Sequence, residues 1–222
     1  MSVNYRACLA EFLGTFALVF FGTLAIATGG SITAVALTHG LVIAIMIYSV
    51  GHISGAHFNP AVTIAMLYRK TIDMQTGIAY MLTQLTAGVI AAIAHAFLFP
   101  MGSKVNFGSN LPAPGVSDLN ILILEIVLTF FLVFVVFSTA VSKKAPVGWH
   151  GFAIGLIITV DIFAGGPITG ASMNPARSFG PAIISYFSGL DNALQSHHLY
   201  WIAPILGGLI AAYVEKILNN DK

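Results

Sequence analysis

The sequence predicts an all-α membrane protein with six transmembrane helices and two re-entrant half-helices, arranged as an inverted repeat of three plus three spans. Three observations support this fold class. Charged residues make up only 8% of the 222 residues and hydrophobic residues 57%, whereas a water-soluble domain usually carries about 25% charged residues. Six apolar stretches are long enough to cross a bilayer. The triplet Asn-Pro-Ala occurs twice, at Asn59-Pro60-Ala61 and Asn174-Pro175-Ala176.

Each of the six apolar stretches is close in length to the roughly 20 residues that a helix needs to cross the hydrocarbon core of a bilayer. The first of them is too long for the apolar part of a cleavable signal and contains Glu11, so we expect it to be retained. No soluble domain is predicted, and residues 1–222 form a single integral membrane domain. The predicted spans are 8–28, 33–50, 77–99, 121–141, 147–164 and 199–218.

The basic residues predict the orientation, because Lys and Arg accumulate in cytoplasmic loops. If the N-terminus is cytoplasmic, the opposite loops hold only Lys104, and Arg177 lies in the second re-entrant segment. We therefore expect a multi-pass protein of the cell membrane with both termini in the cytoplasm. The net charge of +1 provides no basic patch for nucleic acid. The basic residues on the cytoplasmic side are Arg6, Arg69, Lys70, Lys143, Lys144, Lys216 and Lys222.

The two triplets predict helix starts inside the membrane. Asn is a favoured helix N-cap and Pro a favoured first helical residue. The apolar stretches that follow, 61–68 and 176–187, are too short to cross a bilayer. Each half-helix therefore directs its positive dipole end and its asparagine amide at the same place. Such an arrangement predicts a pore.

The two halves of the chain resemble each other. Glu11 corresponds to Glu125, and Ser54 to Thr169, at nearly the offset that separates the triplets. Residues 8–100 form the first repeat, 119–218 the second, and 101–118 a Pro-rich extracellular linker. Each repeat has three spans, an odd number, so the second is inverted and the shared site lies near the bilayer midplane.

These motifs resemble the aquaporin (major intrinsic protein) family over essentially the whole chain. The resemblance is carried by Glu11 with Thr15, by GHISGAHFNPAVT at 51–63 and by GASMNPARSFGP at 170–181. It implies a right-handed six-helix bundle whose half-helices meet at mid-membrane. It also implies a homotetramer with one pore per protomer. The implied activity is passive water conduction without cofactor, metal or catalysis, with the lipid bilayer, water and small neutral solutes as partners.

The resemblance also places the selectivity filter, by spacing from the triplets, at His39, Ile162, Ala171 and Arg177. Arg177 is expected to donate hydrogen bonds to solutes and to repel cations. Strict water channels pair Phe with His at the first two positions, whereas this set resembles that of plant tonoplast intrinsic proteins. Because Ile and Ala occupy less polar volume, we expect a wider opening that also passes small neutral solutes such as ammonia or hydrogen peroxide.

The remaining pore residues follow from the same resemblance. The amides of Asn59 and Asn174 donate to a water at the pore centre, which orients its hydrogens outward and interrupts proton hopping. Backbone carbonyls of the two loops form a ladder of acceptors, and apolar side chains form the opposite wall. The predicted ladder is Gly55, Ala56, His57, Gly170, Ala171 and Ser172, and the predicted apolar wall is Leu18, Ile43, Val62 and Ile158.

Three of the four acids within the predicted spans bear on the predicted pore. Glu11 and Glu125 occupy equivalent places in the repeat, and we expect both to be structural, accepting hydrogen bonds from the loops before the triplets. Asp161 has no usual counterpart in the family pattern. Two partners are open for it, His150 on its own helix and His39 across the pore.

Other functions fit the sequence less well. Glycerol and urea facilitators of the same family usually have Asp where this chain has Ser178, and they lack an aromatic pair like Tyr200-Trp201. A proton-coupled transporter would also use intramembrane acids, but the two amides and Arg177 oppose cation passage. We do not expect an enzyme, because no HExxH, GxSxG or paired-carboxylate motif occurs. The single Cys8 excludes a disulfide framework and a cysteine-rich metal site.

Overall fold

The computed structural model describes residues 4–219, so Lys222, one of the basic residues used to predict the orientation, lies outside the described residues. Within this range the chain forms eight α-helices and no β-strand. Their bounds are α1 Tyr5–Ala27, α2 Ile32–Ser54, α3 Pro60–Tyr68, α4 Met74–Leu98, α5 Asp118–Val136, α6 His150–Thr169, α7 Pro175–Phe187 and α8 Leu199–Leu218.

Six of the described helices are long and apolar enough to cross a membrane, and large hydrophobic side chains are exposed along all of them. The two short helices, α3 and α7, begin at the triplets. The predicted fold class is therefore confirmed. The chain is an integral, multi-pass membrane protein, because an apolar exterior of this extent requires a lipid solvent.

Two predicted spans end too early. The fifth span was placed at 147–164, but α6 begins at His150 and continues to Thr169. Gly148, which has φ +87°, keeps the preceding turn irregular and delays the start of the helix. Pro167 lies in the last turn of α6, where its missing N–H removes only one helical bond. The second span ends at Ser54 rather than 50, where Gly55 with φ +88° caps α2.

The half-helices connect the two halves of the molecule. The half-helix α3 packs mainly on α8, and α7 packs mainly on α4. The long helices α2 and α6 cross closely at Gly40, where an added Cβ would lie 2.3 Å from the backbone oxygen of Gly155. These contacts bring the N-termini of α3 and α7 together in the centre of the bundle.

The segment 101–118, predicted as a linker, contributes to the bundle. A 3-10 helical segment at Pro100–Gly108 packs against α1, α4 and α7. Phe107 is buried, with its ring 5.7 Å from that of His95. The backbone N–H of Ala113 donates to Ile168 O at 2.8 Å. The segment therefore packs back onto the helix bundle near the end of α6.

Candidate pore

The two triplet asparagines link the two re-entrant loops to each other. Asn59 Oδ1 accepts from Ala61 N at 2.9 Å, and Asn174 Oδ1 accepts from Ala176 N at 3.0 Å, which caps both half-helices. Asn59 Nδ2 then donates to Met173 O at 2.8 Å, and Asn174 Nδ2 donates to Phe58 O at 2.9 Å.

A side-chain amide carries two N–H groups, so each asparagine retains one for another partner. Both Asn59 and Asn174 lie on the wall of a central cavity. The neighbouring residues Pro60, Ala61, Pro175 and Ala176 are buried outside that wall, where they define the helix starts.

The loops before the triplets share an unusual backbone conformation. Left-handed dihedral angles are disfavoured for residues other than glycine, at a cost of about 1–3 kcal/mol each. Here three positions of each loop adopt them, in the same order in both halves. The values are Gly55 +88°, Ala56 +52° and Phe58 +51° in the first loop, and Gly170 +83°, Ala171 +44° and Met173 +54° in the second.

Glu11 holds the first loop in this conformation. Its Oε1 accepts from Ser54 Oγ at 2.7 Å and from His57 N at 2.9 Å. Its Oε2 accepts from Phe58 N at 2.6 Å and from Gln84 Nε2 at 2.8 Å. The carboxylate is fully buried and satisfies two backbone donors that the bent loop could not pair with its own carbonyls.

Glu125 occupies the corresponding place in the second half. It accepts from Thr169 Oγ1 at 2.7 Å, from Ser172 N at 2.9 Å and from Met173 N at 2.8 Å. Among the described residues, no amide side chain donates to Glu125 as Gln84 donates to Glu11. Gln84 itself was not predicted from the sequence. An amide in the middle of a predicted span was an available signal, because polar residues at that depth need a partner.

The central cavity has a volume of about 330 Å³. Its wall includes the four predicted filter residues and both triplet asparagines. His150 and Thr71 lie on it at the end opposite the filter. The predicted lining residues on this wall are Leu18, Ile43, Val62, Ile158, Gly55, Ala56, His57, Ala171 and Ser172.

Gly170, also predicted to line the pore, is the exception. The structure does not place it on the cavity wall. Its carbonyl instead accepts from Asn110 Nδ2 at 2.7 Å. The reason is that segment 101–118, expected to be an outer linker, packs against this end of the loop. Asn110 of this segment donates the hydrogen bond to the first carbonyl of the loop.

The filter is centred on Arg177 and His39, both of which are buried. Arg177 Nη2 lies 3.4 Å from His39 Nε2. His39 Nδ1 lies 2.8 Å from Val35 O, and a carbonyl can only accept, so Nδ1 carries the proton of the neutral ring. The lone pair of Nε2 then faces the guanidinium. Ile162 and Ala171 complete the wall at this level.

Arg177 is held by the segment 101–118. Its Nη1 donates to Gly108 O at 3.1 Å and to Asn110 Oδ1, while its Nε has no partner among the described residues. No carboxylate of the residues whose side chains the structure describes (4–190 and 192–219) lies within ion-pair distance of Arg177. Its charge is therefore solvated by neutral groups and remains available to the cavity. Asn110 was not predicted as a filter residue, because only the folding of this segment brings it to Arg177.

Asp161 has neither of the two partners that the sequence left open. It forms no hydrogen bond with His150 or His39, and its Oδ2 has no hydrogen-bond partner among the described residues although the residue is buried. The reason is its position on α6. Gly165, one turn further along the helix, lies against Leu128 of α5. Asp161 shares that helix face and turns away from the cavity.

Comparison with known proteins agrees with this geometry. The family model described as Major intrinsic protein matches residues 1–215. Aquaporin TIP4-4 of Zea mays is 39% identical over 221 residues, covering 94% of this chain and 84% of that protein. Aquaporin AqpM of Methanothermobacter marburgensis is 34% identical over 241 residues, covering 97% and 98%.

Among solved structures, the aquaglyceroporin from Plasmodium falciparum superposes with a TM-score of 0.81. It is 24% identical in sequence, and the match covers 98% of this chain and 96% of that one. It shares the fold of eight helices and two re-entrant loops seen here. The family model and the two relatives show that the chain belongs to the major intrinsic protein family of membrane channels, the aquaporins.

Proposed function

We propose that this protein is a passive water channel that excludes protons and other ions and also passes small neutral solutes such as ammonia or hydrogen peroxide. The observation that carries the proposal is that the side chains of Asn59, Asn174 and Arg177 all lie on the wall of one cavity. This cavity combines donors at its centre, a cation at one end and an apolar side along its length.

Proton exclusion follows from the two amides. A water molecule that accepts from the free N–H groups of both asparagines must turn its own hydrogens away from the pore centre. Water molecules on either side then point in opposite directions, and a proton cannot hop along the file. The positive ends of α3 and α7 at the same place oppose cations as well.

The filter supports passage of solutes larger than water. Arg177 donates hydrogen bonds and repels cations, while His39 supplies a second polar edge. Ile162 and Ala171 provide a less polar side without an aromatic ring. Neutral molecules that exchange hydrogen bonds readily should therefore pass, and cations should not, because the site presents them with a positive charge and offers no counter-charge.

The second candidate is a glycerol or urea facilitator of the same family. The apolar side chain of Ile162 and the small side chain of Ala171 on the cavity wall favour it. The sequence at Ser178 and Tyr200-Trp201 favours the water channel. A proton-coupled transporter of small solutes is the third candidate, and Arg177 without a carboxylate partner argues against it.

One experiment separates these candidates. The purified protein is reconstituted into liposomes, and stopped-flow light scattering measures water, glycerol and urea entry with and without an imposed proton gradient. We expect fast water flux with a low activation energy, slower glycerol and urea entry, and no effect of the gradient. Protein-free liposomes are the control. Glycerol flux faster than water flux would support the facilitator, and solute uptake driven by the gradient would support the transporter.

The orientation and assembly are also proposals. Arg69 forms an ion pair with Glu215 of α8, and Lys144 Nζ donates to Asn219 O at 3.3 Å, so these basic residues share one end of the bundle. We assign this end to the cytoplasm of a cell-membrane protein by the excess of Lys and Arg there. Assembly into a homotetramer is proposed from the usual assembly of the family. The mass of the detergent-solubilised protein tests the tetramer, and protease protection in oriented vesicles tests the termini.

A further inference from the structure

We propose that Gly22 of α1 is a specificity-determining residue of the filter, because the absence of its side chain provides the space that the His39 imidazole occupies. This inference rests on the proposed function of the cavity as a channel. It concerns a helix that contributes no side chain to the four-residue filter. Gly22 itself is buried and lies outside the cavity wall.

The contact between the two residues leaves no room for a methyl group. A Cβ added to Gly22 would lie 2.4 Å from His39 Nε2, 2.7 Å from its Cε1 and 2.8 Å from its Cδ2. Real Cβ atoms essentially never approach other heavy atoms within 3.0 Å. Any side chain at position 22 must therefore displace the ring.

The ring cannot move freely when it is displaced. His39 Nδ1 is tied to Val35 O on its own helix, and Nε2 already lies 3.4 Å from Arg177 Nη2. Movement away from α1 either breaks the bond to Val35 or brings the ring closer to Arg177. In both cases the imidazole enters the opening between the two polar groups of the filter.

The next residue of α1, Thr23, supports the other side of the filter. A Cβ added to Gly108 would lie 2.8 Å from Thr23 Cβ, so this part of segment 101–118 rests directly on α1. Gly108 O in turn accepts the hydrogen bond from Arg177. The hydroxyl of Thr23 is itself fixed by a 2.8 Å hydrogen bond with His95 Nδ1.

Two successive residues of α1 therefore set the width of the filter, one behind His39 and one beneath the loop that holds Arg177. Since a packed protein interior transmits such displacements, a methyl group at position 22 reaches the pore. The size limit for neutral solutes is then a property of the Gly22–His39 contact as well as of the residues that face the pore.

The test is a double-mutant cycle of Gly22→Ala, His39→Ala and the two combined, in proteoliposomes. Water and urea permeability and the temperature of thermal unfolding are measured for each variant. We expect Gly22→Ala to lose most of the water flux and to lose urea flux more completely. We expect the combined variant to conduct both as His39→Ala alone does, because no ring remains for the new methyl group to displace.

Several outcomes would overturn the inference. One is unchanged water and urea permeability in Gly22→Ala. Another is a combined variant that is as impaired as Gly22→Ala alone or that fails to fold, since the loss would then not depend on the ring.

The unfolding temperature separates this inference from the proposed function. If the unmodified protein conducts no water, the proposed function fails. The inference still predicts that Gly22→Ala destabilises the unmodified protein and not the His39→Ala variant. Equal destabilisation in the two backgrounds would contradict it.

Discussion

The side chain of Asn110 accepts a hydrogen bond from the guanidinium of Arg177, so a residue between the two repeats holds the cation of the filter. The same side chain donates through Nδ2 to Gly170 O at 2.7 Å. Asn110 thereby connects Arg177 on α7 with the loop that carries Ala171. The position of Arg177 depends on this segment as much as on the helix to which it belongs.

Replacing Asn110 with Ala should loosen the filter. Arg177 Nη1 keeps Gly108 O but loses its side-chain acceptor, and Gly170 O loses its donor. Hydrogen bonds to charged groups contribute about 1.5–3 kcal/mol, so we expect a lower unfolding temperature. We also expect a higher ratio of urea to water permeability in stopped-flow measurements. In the companion variant Asn110→Asp, the carboxylate should hold Arg177 but offset its charge and admit a cation leak. If Asn110→Ala matches the unmodified protein in both stability and solute ratio, Asn110 does not position Arg177.

Replacing Arg177 with Val should separate ion exclusion from water conduction. The change removes the filter cation and leaves both half-helix dipoles and both amides in place. We expect a measurable proton leak, water flux of similar order, and faster entry of urea and glycerol. The leak is measured with a pH-sensitive dye trapped in proteoliposomes. Unaltered proton tightness would place the exclusion barrier wholly at Asn59 and Asn174.

The width of the filter should set the range of solutes. Ile162→His with His39→Phe reproduces the residue pair of a strict water channel. Because this pair narrows the opening and removes its apolar side, we expect the ammonia-to-water permeability ratio to fall in the double variant. The two single variants serve as controls. A double variant with the ratio of the unmodified protein would contradict the tonoplast-like interpretation while leaving the water channel intact.

Mercurial compounds should have little effect on water flux. They require an accessible thiol in the pore, and the only cysteine, Cys8, lies near the start of α1 and outside the cavity wall. A matched control is Ala171→Cys, which places a thiol on that wall and should make water flux sensitive to mercuric chloride. Reversible block of the unmodified protein that disappears in Cys8→Ser would show that the pore lies elsewhere.

Asp161 should be replaceable by Asn. A buried carboxyl group without a hydrogen-bond partner destabilises a protein, and Asp161 Oδ2 has no partner among the described residues. We expect Asp161→Asn to raise the unfolding temperature and to leave water flux unchanged, because the side chain turns away from the cavity. Glu125→Gln is the contrasting variant and should be destabilised, because Glu125 accepts three hydrogen bonds. Loss of water flux in Asp161→Asn would instead assign the acid a part in conduction.

The sequence predicted the elements whose signals are local. Span length, the capping preference of Asn before Pro, and the near-constant offset between the halves indicated six spans and two half-helices. These predictions agree with the structure because they depend on composition and short-range geometry. The end of α6 did not follow from them, because Pro167 in a last turn resembles a helix break in sequence but costs little there.

The sequence could not supply the contacts between distant segments. Asn110 reaches Arg177 only because segment 101–118 folds back between α1 and α7. Asp161 has no partner because α6 turns it towards α5. Gly22 gives no sequence sign of contact with His39, since the meaning of a missing side chain depends on what occupies the space.

By itself, the sequence determined that this chain spans a membrane, that its two halves are inverted, and that two asparagines cap short helices within it. Only the tertiary structure decided how the filter is supported: Arg177 by Gly108 and Asn110, and His39 by the space at Gly22. The physical reason is that spans and caps arise from interactions between near neighbours in the chain. The width of a pore is set by packing between segments that only the complete fold brings together.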